Sequence, residues 1–309
     1  MRLTVTLAAF SLVVLLGACG GSSEQSASPV ATTTGGSTST APPPLAECAE
    51  LLSYDDSAPL ELKVRGTANQ GGVEVDDVLF TAAGRRIAAY LVRPQEKPQA
   101  AVLWAHWYGE EANTDRTEFL PDATALAQEG VVSLLPQGTF PWREPVSDVA
   151  AEDRKLTIDQ VVQLRRGLDV LEQEAGDVPI GFVGHDYGAM FGILLVADKR
   201  PQAYVLMAPD ATFSNWFIKY FVRSASKTEF GEAFAPLDPA SNVGDAAPAS
   251  LVFQFAETDP YVPGYIAERL FDAASEPKET RSYGGGHELD KEARRDRLAW
   301  LRRELDLTV

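Results

Sequence analysis

Asp186 stands in the middle of Gly184-His185-Asp186-Tyr187-Gly188, between a short apolar run ending at Val183 and an apolar stretch that begins at once. A strand that turns sharply into a helix at such a pentapeptide holds its middle residue above the sheet, which is the setting of G-x-nucleophile-x-G sequences. The following helix offers free N–H groups and the positive end of its dipole to that residue. Here the residue is a carboxylate, and this decides the chemistry. Attack on an ester carbonyl would give a mixed anhydride whose better leaving group is usually the carboxylate itself, so the step reverses. Attack on a saturated carbon gives a stable alkyl ester on the enzyme. Opening that ester with water needs a base, and the chain has three histidines, His106, His185 and His287.

The surrounding pattern supplies the elements such a turn requires. Two β-rich runs, 73–80 and 87–93, flank a glycine-containing turn and predict a hairpin. Beyond Pro94 short apolar runs follow at 101–105, 131–135, 180–183, 203–207 and 251–255, each apolar on both faces as buried parallel strands are. Helical stretches are expected between and after them, at 118–129, 153–174, 187–198, 264–274 and 288–305. In the second of these, Leu156, Val161, Val162, Leu164, Leu168 and Leu171 line one broad side. Strand and helix in alternation predict an α/β chain with a doubly wound, mostly parallel sheet and an antiparallel hairpin at one edge. Ligands of such sheets bind beyond the carboxyl ends of the strands, where Asp186 falls.

In this context the chain resembles the α/β-hydrolase fold family over roughly residues 73–305. The resemblance implies a role for each histidine position. His106 follows the first long strand, where the family often has a His-Gly loop that donates an oxyanion N–H; His185 precedes the nucleophile. His287, in Tyr283-Gly284-Gly285-Gly286-His287, follows a strand-like run at 279–283, where the family places its base. The acid is expected after the penultimate strand, and Asp259 in Glu257-Thr258-Asp259-Pro260 matches, giving the chain order nucleophile, acid, histidine. The elbow GHDYG is close to the GHDWG of haloalkane dehalogenases and epoxide hydrolases. These members form an alkyl-enzyme ester and then hydrolyse it. By position, the oxyanion donors would be the N–H groups of Tyr108 and Tyr187. The hairpin, the GGGH segment and a short cap at 210–248 look more like dienelactone-hydrolase-type members, which normally use Ser or Cys. Trp107 also stands where relatives with an Asp nucleophile have Gly. Trp107, Trp142, Trp216 and Tyr220 are candidates to contact substrate or leaving group. Three readings therefore stand: cleavage of a carbon–halogen bond or epoxide, an esterase with an altered nucleophile, and an inactive scaffold that binds a ligand.

Composition narrows the partners. The 309 residues carry a net charge of −17, which disfavours phosphate backbones as partners and makes nucleic acid an unexpected one. Three histidines and two cysteines are too few for a conventional His- or Cys-rich metal centre, and no cofactor is expected. The substrate is expected to be a small molecule. At the amino terminus Arg2 precedes an apolar stretch that ends in Leu16-Gly17-Ala18-Cys19, an export signal with the look of a bacterial lipobox. The stretch falls short of the ~20 residues that span a bilayer. The expected organisation is a signal over 1–18, a lipid-modified Cys19 opening a disordered Ser/Thr/Gly/Ala/Pro-rich tether over 19–46, and a folded domain over 47–309. That places the protein in the bacterial cell envelope, held by its lipid and facing away from the cytoplasm. If this reading is right, Cys19→Ser moves the protein from the membrane to the soluble fraction in cell fractionation; unchanged membrane retention would refute it.

Overall fold

The computed structural model describes residues 44–108, 115–140, 149–221 and 227–307. The elements, in chain order, are α1 (Pro44–Leu51), β1 (Lys63–Gln70), β2 (Val73–Ala82), β3 (Arg85–Arg93), β4 (Ala100–Ala105), α2 (Leu120–Ala127), β5 (Val131–Pro136), α3 (Ala150–Ala175) and β6 (Ile180–His185). There follow α4 (Tyr187–Ile193), β7 (Pro201–Met207), α5 (Phe213–Trp216), α6 (Lys227–Phe234), α7 (Pro239–Asn242), β8 (Ser250–Ala256), α8 (Gly264–Ala273), β9 (Lys278–Tyr283) and α9 (Lys291–Glu304). The strands form a sheet of order β1-β2-β3-β5-β4-β6-β7-β8-β9. Pairing is antiparallel from β1 through the β3–β5 contact and parallel from there to β9.

Alternation along the central strands divides the interior into two cores, one on each face. Ala101, Leu103 and Ala105 of β4 join Leu164, Leu168 and Leu171 of α3 and Met190 and Phe191 of α4. Ala100, Val102 and Trp104 point the other way, onto Leu126 of α2 and Leu298, Trp300 and Leu301 of α9. The doubly wound sheet expected from the pattern is thus present, with β4 and β6 buried along their whole length.

Three expectations need correction. The hairpin is not the edge, because β1 pairs outside β2. This strand, KVRGTANQ, is exposed at every position and has no apolar face to read. It is held by main-chain pairing and by polar ties such as Arg65 to Asp77 at 2.5 Å, and its charges suit an edge that must not recruit another sheet. At the amino-terminal end of the described residues, α1 starts at Pro44 and carries Cys48, which is 1% exposed, into the core. On α3, Leu156 is only half-buried, whereas Thr157, Gln160 and Gln163 are buried. Gln160 accepts the N–H of Thr139 at 2.6 Å and Gln163 its hydroxyl at 3.3 Å, while the Thr157 hydroxyl donates back to Asp153 O of the same helix. The helix after β6 is also shorter than the expected 187–198, tightening to a 3-10 turn over Leu194–Ala197. Signal and tether, including Cys19, lie outside the described residues, and among those described no helix is long and apolar enough to cross a membrane.

One buried ion pair joins α2 to the last helix, α9, on the second face. Asp122 of α2, 2% exposed, receives Arg297 Nε at 2.9 Å and also Arg294 from α9. Removing one partner of such a pair leaves the other charge stranded. Asp122→Ala is therefore expected to lower unfolding stability by about 3 kcal/mol in urea titration; a loss well under 1 kcal/mol would show that Arg297 finds water or another acceptor.

Candidate active site

The site is built on the carboxyl ends of β4, β6, β8 and β9. At the end of β6 the backbone of Asp186 has φ 54° and ψ −119°, a conformation rarely adopted by a side-chain-bearing residue and costing of order 1–3 kcal/mol. The surroundings hold it there. A Cβ on Gly188 would lie 2.1 Å from the carbonyl oxygen of Ala105, and one on Gly184 would lie 2.6 Å from Ala189 N. The two glycines thus let α4 start directly against β4. Asp186 N–H donates to Met207 O of β7 at 2.8 Å, and Asp186 O accepts Met190 N–H of α4 at 3.0 Å, fixing both sides of the bend.

The carboxyl group of Asp186 is buried, at 3% residue exposure. Its Oδ2 accepts the N–H of Tyr108 at 3.4 Å, the long end of a hydrogen bond. Its Oδ1 has no hydrogen-bond donor and lies 3.7 Å from His287 Nε2. On the far side of that ring, Nδ1–H donates to Asp259 Oδ2 at 2.8 Å. The other oxygen of Asp259 accepts the N–H groups of Tyr261 and Val262 at 2.8 and 3.0 Å. Asp186, Asp259 and His287, separated in the chain by 73 and 28 positions, therefore form one line with His287 in the middle.

Charge in this line is asymmetric. Burial alone would push the imidazole of His287 down, but Asp186 and Asp259 on either side outweigh it and hold its pKa up at about 9. Burial would raise the carboxyl of Asp259, yet the hydrogen bond and charge of His287 and the two backbone N–H donors keep it below the ordinary carboxylate range. A histidine raised on folding stabilises the fold fully below its unfolded pKa near 6.5, and that contribution is lost as the pH climbs through about 9.

The other two histidines are structural in their contacts. His106 Nδ1–H donates to Trp107 O at 2.6 Å, and Nε2 accepts the N–H of Gly138 at 2.8 Å, tying the end of β4 to the loop after β5. Burial lowers its pKa, in keeping with a neutral ring that donates on one side and accepts on the other. His185 is 1% exposed and reaches Glu118 and the main chain of His287.

Trp107, oversized for a position where glycine was expected, stacks flat on His185 at 5.3 Å and 4°, so its bulk leaves the donor loop rather than filling it. Its ring is also 6.2 Å from that of His287. Trp216 of the cap lies edge-on to His287 at 6.4 Å and stacks on Tyr261 at 6.0 Å. Tyr187 contributes its ring to the floor, fully buried and 5.4 Å from Trp216. Trp142 lies outside the described residues, as does the side chain of Tyr220. The other described cap aromatics mostly fill core: Phe213, Phe217, Phe230 and Phe234 are all buried. The sequence reading missed Tyr261, whose ring meets His287 edge-on at 5.0 Å. It also missed Glu118. Tyr261 was within reach, standing two residues after Asp259 in a turn whose N–H groups must face the carboxylate. Among the described residues, no group of three or more His, Cys, Asp or Glu side chains is placed to hold a metal ion.

No family model matches the sequence, and no curated protein matches it. Solved structures do match the fold. An acetyl xylan esterase from Paenibacillus sp. R4 superposes with a TM-score of 0.66 at 15% identity, over 84% of this chain and 93% of that one. Acetyl Xylan Esterase 1 from Thermoanaerobacterium sp. JW/SL YS485 gives 0.63 at 14% identity, over 86% and 94%. The esterase domain of a Rhodothermus marinus protein gives 0.56 at 20% identity, over 75% and 99%. With the nine-stranded sheet, these likenesses establish an α/β-hydrolase fold.

The elevated pKa of His287 depends in part on its neighbour's charge. Asp186→Asn should lower it measurably from about 9 in a histidine NMR titration. An unmoved titration would mean that Asp186 does not act on that ring as a charge.

Proposed function

We propose that the protein is a hydrolase in which Asp186 is the nucleophile, His287 the base and Asp259 its orienting acid. The observation that carries the reading is the unpartnered Oδ1 of Asp186, presented at a strained bend 3.7 Å from an imidazole that a second carboxylate holds from behind. Oδ1 displaces a halide, or the oxygen of an epoxide, from a saturated carbon; a new C–O bond forms as the carbon–leaving-group bond breaks, the halide departing as the anion and the epoxide oxygen taking a proton from water. Oδ2 stays with the Tyr108 N–H, and the N–H of Tyr187 at the start of α4 is the second donor proposed for the developing oxyanion. Trp107 and Trp216, whose rings both lie near His287, are the side chains proposed to contact the substrate or its leaving group.

This first step needs a carboxylate and no base, so a protonated His287 does not impede it. Ester formation removes the negative charge from Asp186 and with it part of what holds the imidazole protonated. The ring then releases its proton to solvent and becomes competent to take one from water as hydroxide adds to Cγ of Asp186. Collapse of the tetrahedral intermediate expels the alcohol oxygen, which takes a proton from the imidazolium; the carboxylic acid left on Asp186 then passes its proton to the neutral ring, restoring the carboxylate and the protonated His287.

An esterase reading is favoured by a different observation: the structural neighbours named above are esterases. In that case Asp186 acts as base toward water, since its own attack on an ester carbonyl would revert. In either case the substrate is a small molecule, and a lipid on Cys19 would hold the enzyme at the membrane of the cell envelope.

The covalent route is tested in oxygen-18 water with a panel of haloalkanes and epoxides beside an acetate ester. Single turnover should place label in the carboxylate of Asp186, and His287→Gln should accumulate an alkyl adduct on that residue by mass spectrometry. Label confined to product would support direct attack of water. An adduct that persists in Asp186→Ala would overturn the assignment of the nucleophile, and turnover of nothing in the panel would favour a binding protein.

A further inference from the structure

Glu118 lies outside the line of Asp186, His287 and Asp259 yet bonds to the segments that carry it. Its Oε2 accepts the N–H of Trp107 at 2.9 Å, and its Oε1 stands 2.7 Å from His185 Nδ1. The opposite nitrogen of His185, Nε2, stands 2.9 Å from the carbonyl oxygen of His287. A carbonyl has no hydrogen to give, so Nε2 is the donor there. A hydrogen must also lie between Nδ1 and the carboxyl oxygen, and Glu118 and His185 hold the two hydrogens between them. The ring is 1% exposed, stacked under Trp107 and 5.2 Å from the ring of His287. Glu118 itself leaves a fixed backbone, because its N–H donates to Asp115 O at 2.9 Å across a 3-10 turn.

We infer that Glu118 is a positioning residue for the reaction proposed above. Through Trp107 it sets the N–H of the next residue, Tyr108, against Asp186; through His185 it sets the main chain of His287. The chemistry rests on the proposed function, while the contacts do not. One side chain thereby fixes the donor loop, the elbow and the base loop relative to one another. A displacement of about 1 Å in such a constellation costs on the order of 100-fold in rate.

Glutamine separates positioning from mere packing. Its amide oxygen can accept from Trp107, and its amide N–H can donate to His185 Nδ1, leaving Nε2–H in place. Glu118→Gln should therefore keep opening of the alkyl ester within about threefold of wild type, whereas Glu118→Ala should slow it on the order of 100-fold with KM little changed. Nitrogen-15 histidine spectra of the full-length protein read the same tie without turnover. In wild type His185 Nε2 should carry hydrogen; Glu118→Ala should shift the titration of His287, and Glu118→Gln should restore it. His185→Phe keeps a ring against Trp107 but breaks both bonds, and should move His287 as Glu118→Ala does, which covers the case of an alanine variant that fails to fold. A wild-type His185 without hydrogen on Nε2 overturns the inference, as does an unmoved His287 in either disruptive variant. Equal damage from Gln and Ala would overturn it too. Absence of turnover on every electrophile would count against the proposed reaction and leave the spectra to decide the role of Glu118.

Discussion

The architecture depends on how closely α4 approaches β4. With 2.1 Å separating the Cβ that Gly188 lacks from the carbonyl of Ala105, the helix can begin where a larger residue would force it away. That proximity turns the chain through Asp186 at positive φ and aims its carboxyl out of the sheet. Everything else in the site is then a question of which strand ends lie around that point. β4 is followed by the Tyr108 donor, β8 by Asp259 and β9 by His287, so neighbouring strand ends deliver the groups around the carboxylate, and the segment after β9 sets His287 between Asp186 and Asp259. Strain at the bend is sustained because both flanks are bonded, to β7 on one side and within α4 on the other.

Three histidines and a few carboxylates divide the work by what lies on each side of each ring. His106 has a carbonyl on one side and an N–H on the other, an arrangement suited to a neutral ring. His185 has acceptors on both sides, and His287 has carboxylates on both sides. Identical side chains thus become a latch, a tie and, in the proposed reaction, a base. The acidic excess of the chain as a whole does not decide this; the local partner does.

Much of the fold was legible, because buried strands announce themselves as short apolar runs and the βαβ alternation leaves few topologies. Asp186 was legible as well, since Gly184 and Gly188 bracket it between such a run and a helix. Asp259 and His287 required the family resemblance to single them out, as an aspartate before proline and a histidine after glycines are common in any chain. What stayed hidden had no local signature. β1 lacks apolar alternation and exists through its pairing with β2. Glu118 occupies an ordinary helix-approach position and gains its meaning from His185, 67 residues away. The burial of Gln160 and Gln163 on α3 likewise follows from polar loops that periodicity does not see.

Cys48 gives the amino-terminal end of the fold an unexpected property. Its thiol lies beneath α1 in the main core, and burial pushes its pKa up to about 12. The reactive thiolate is therefore scarce and the sulfur is shielded from solvent. Oxidants and alkylating reagents reach it when α1 lifts from α7 and the adjoining 3-10 turns on which it packs. The sulfur consequently serves as a built-in gauge of how firmly the leading helix is seated.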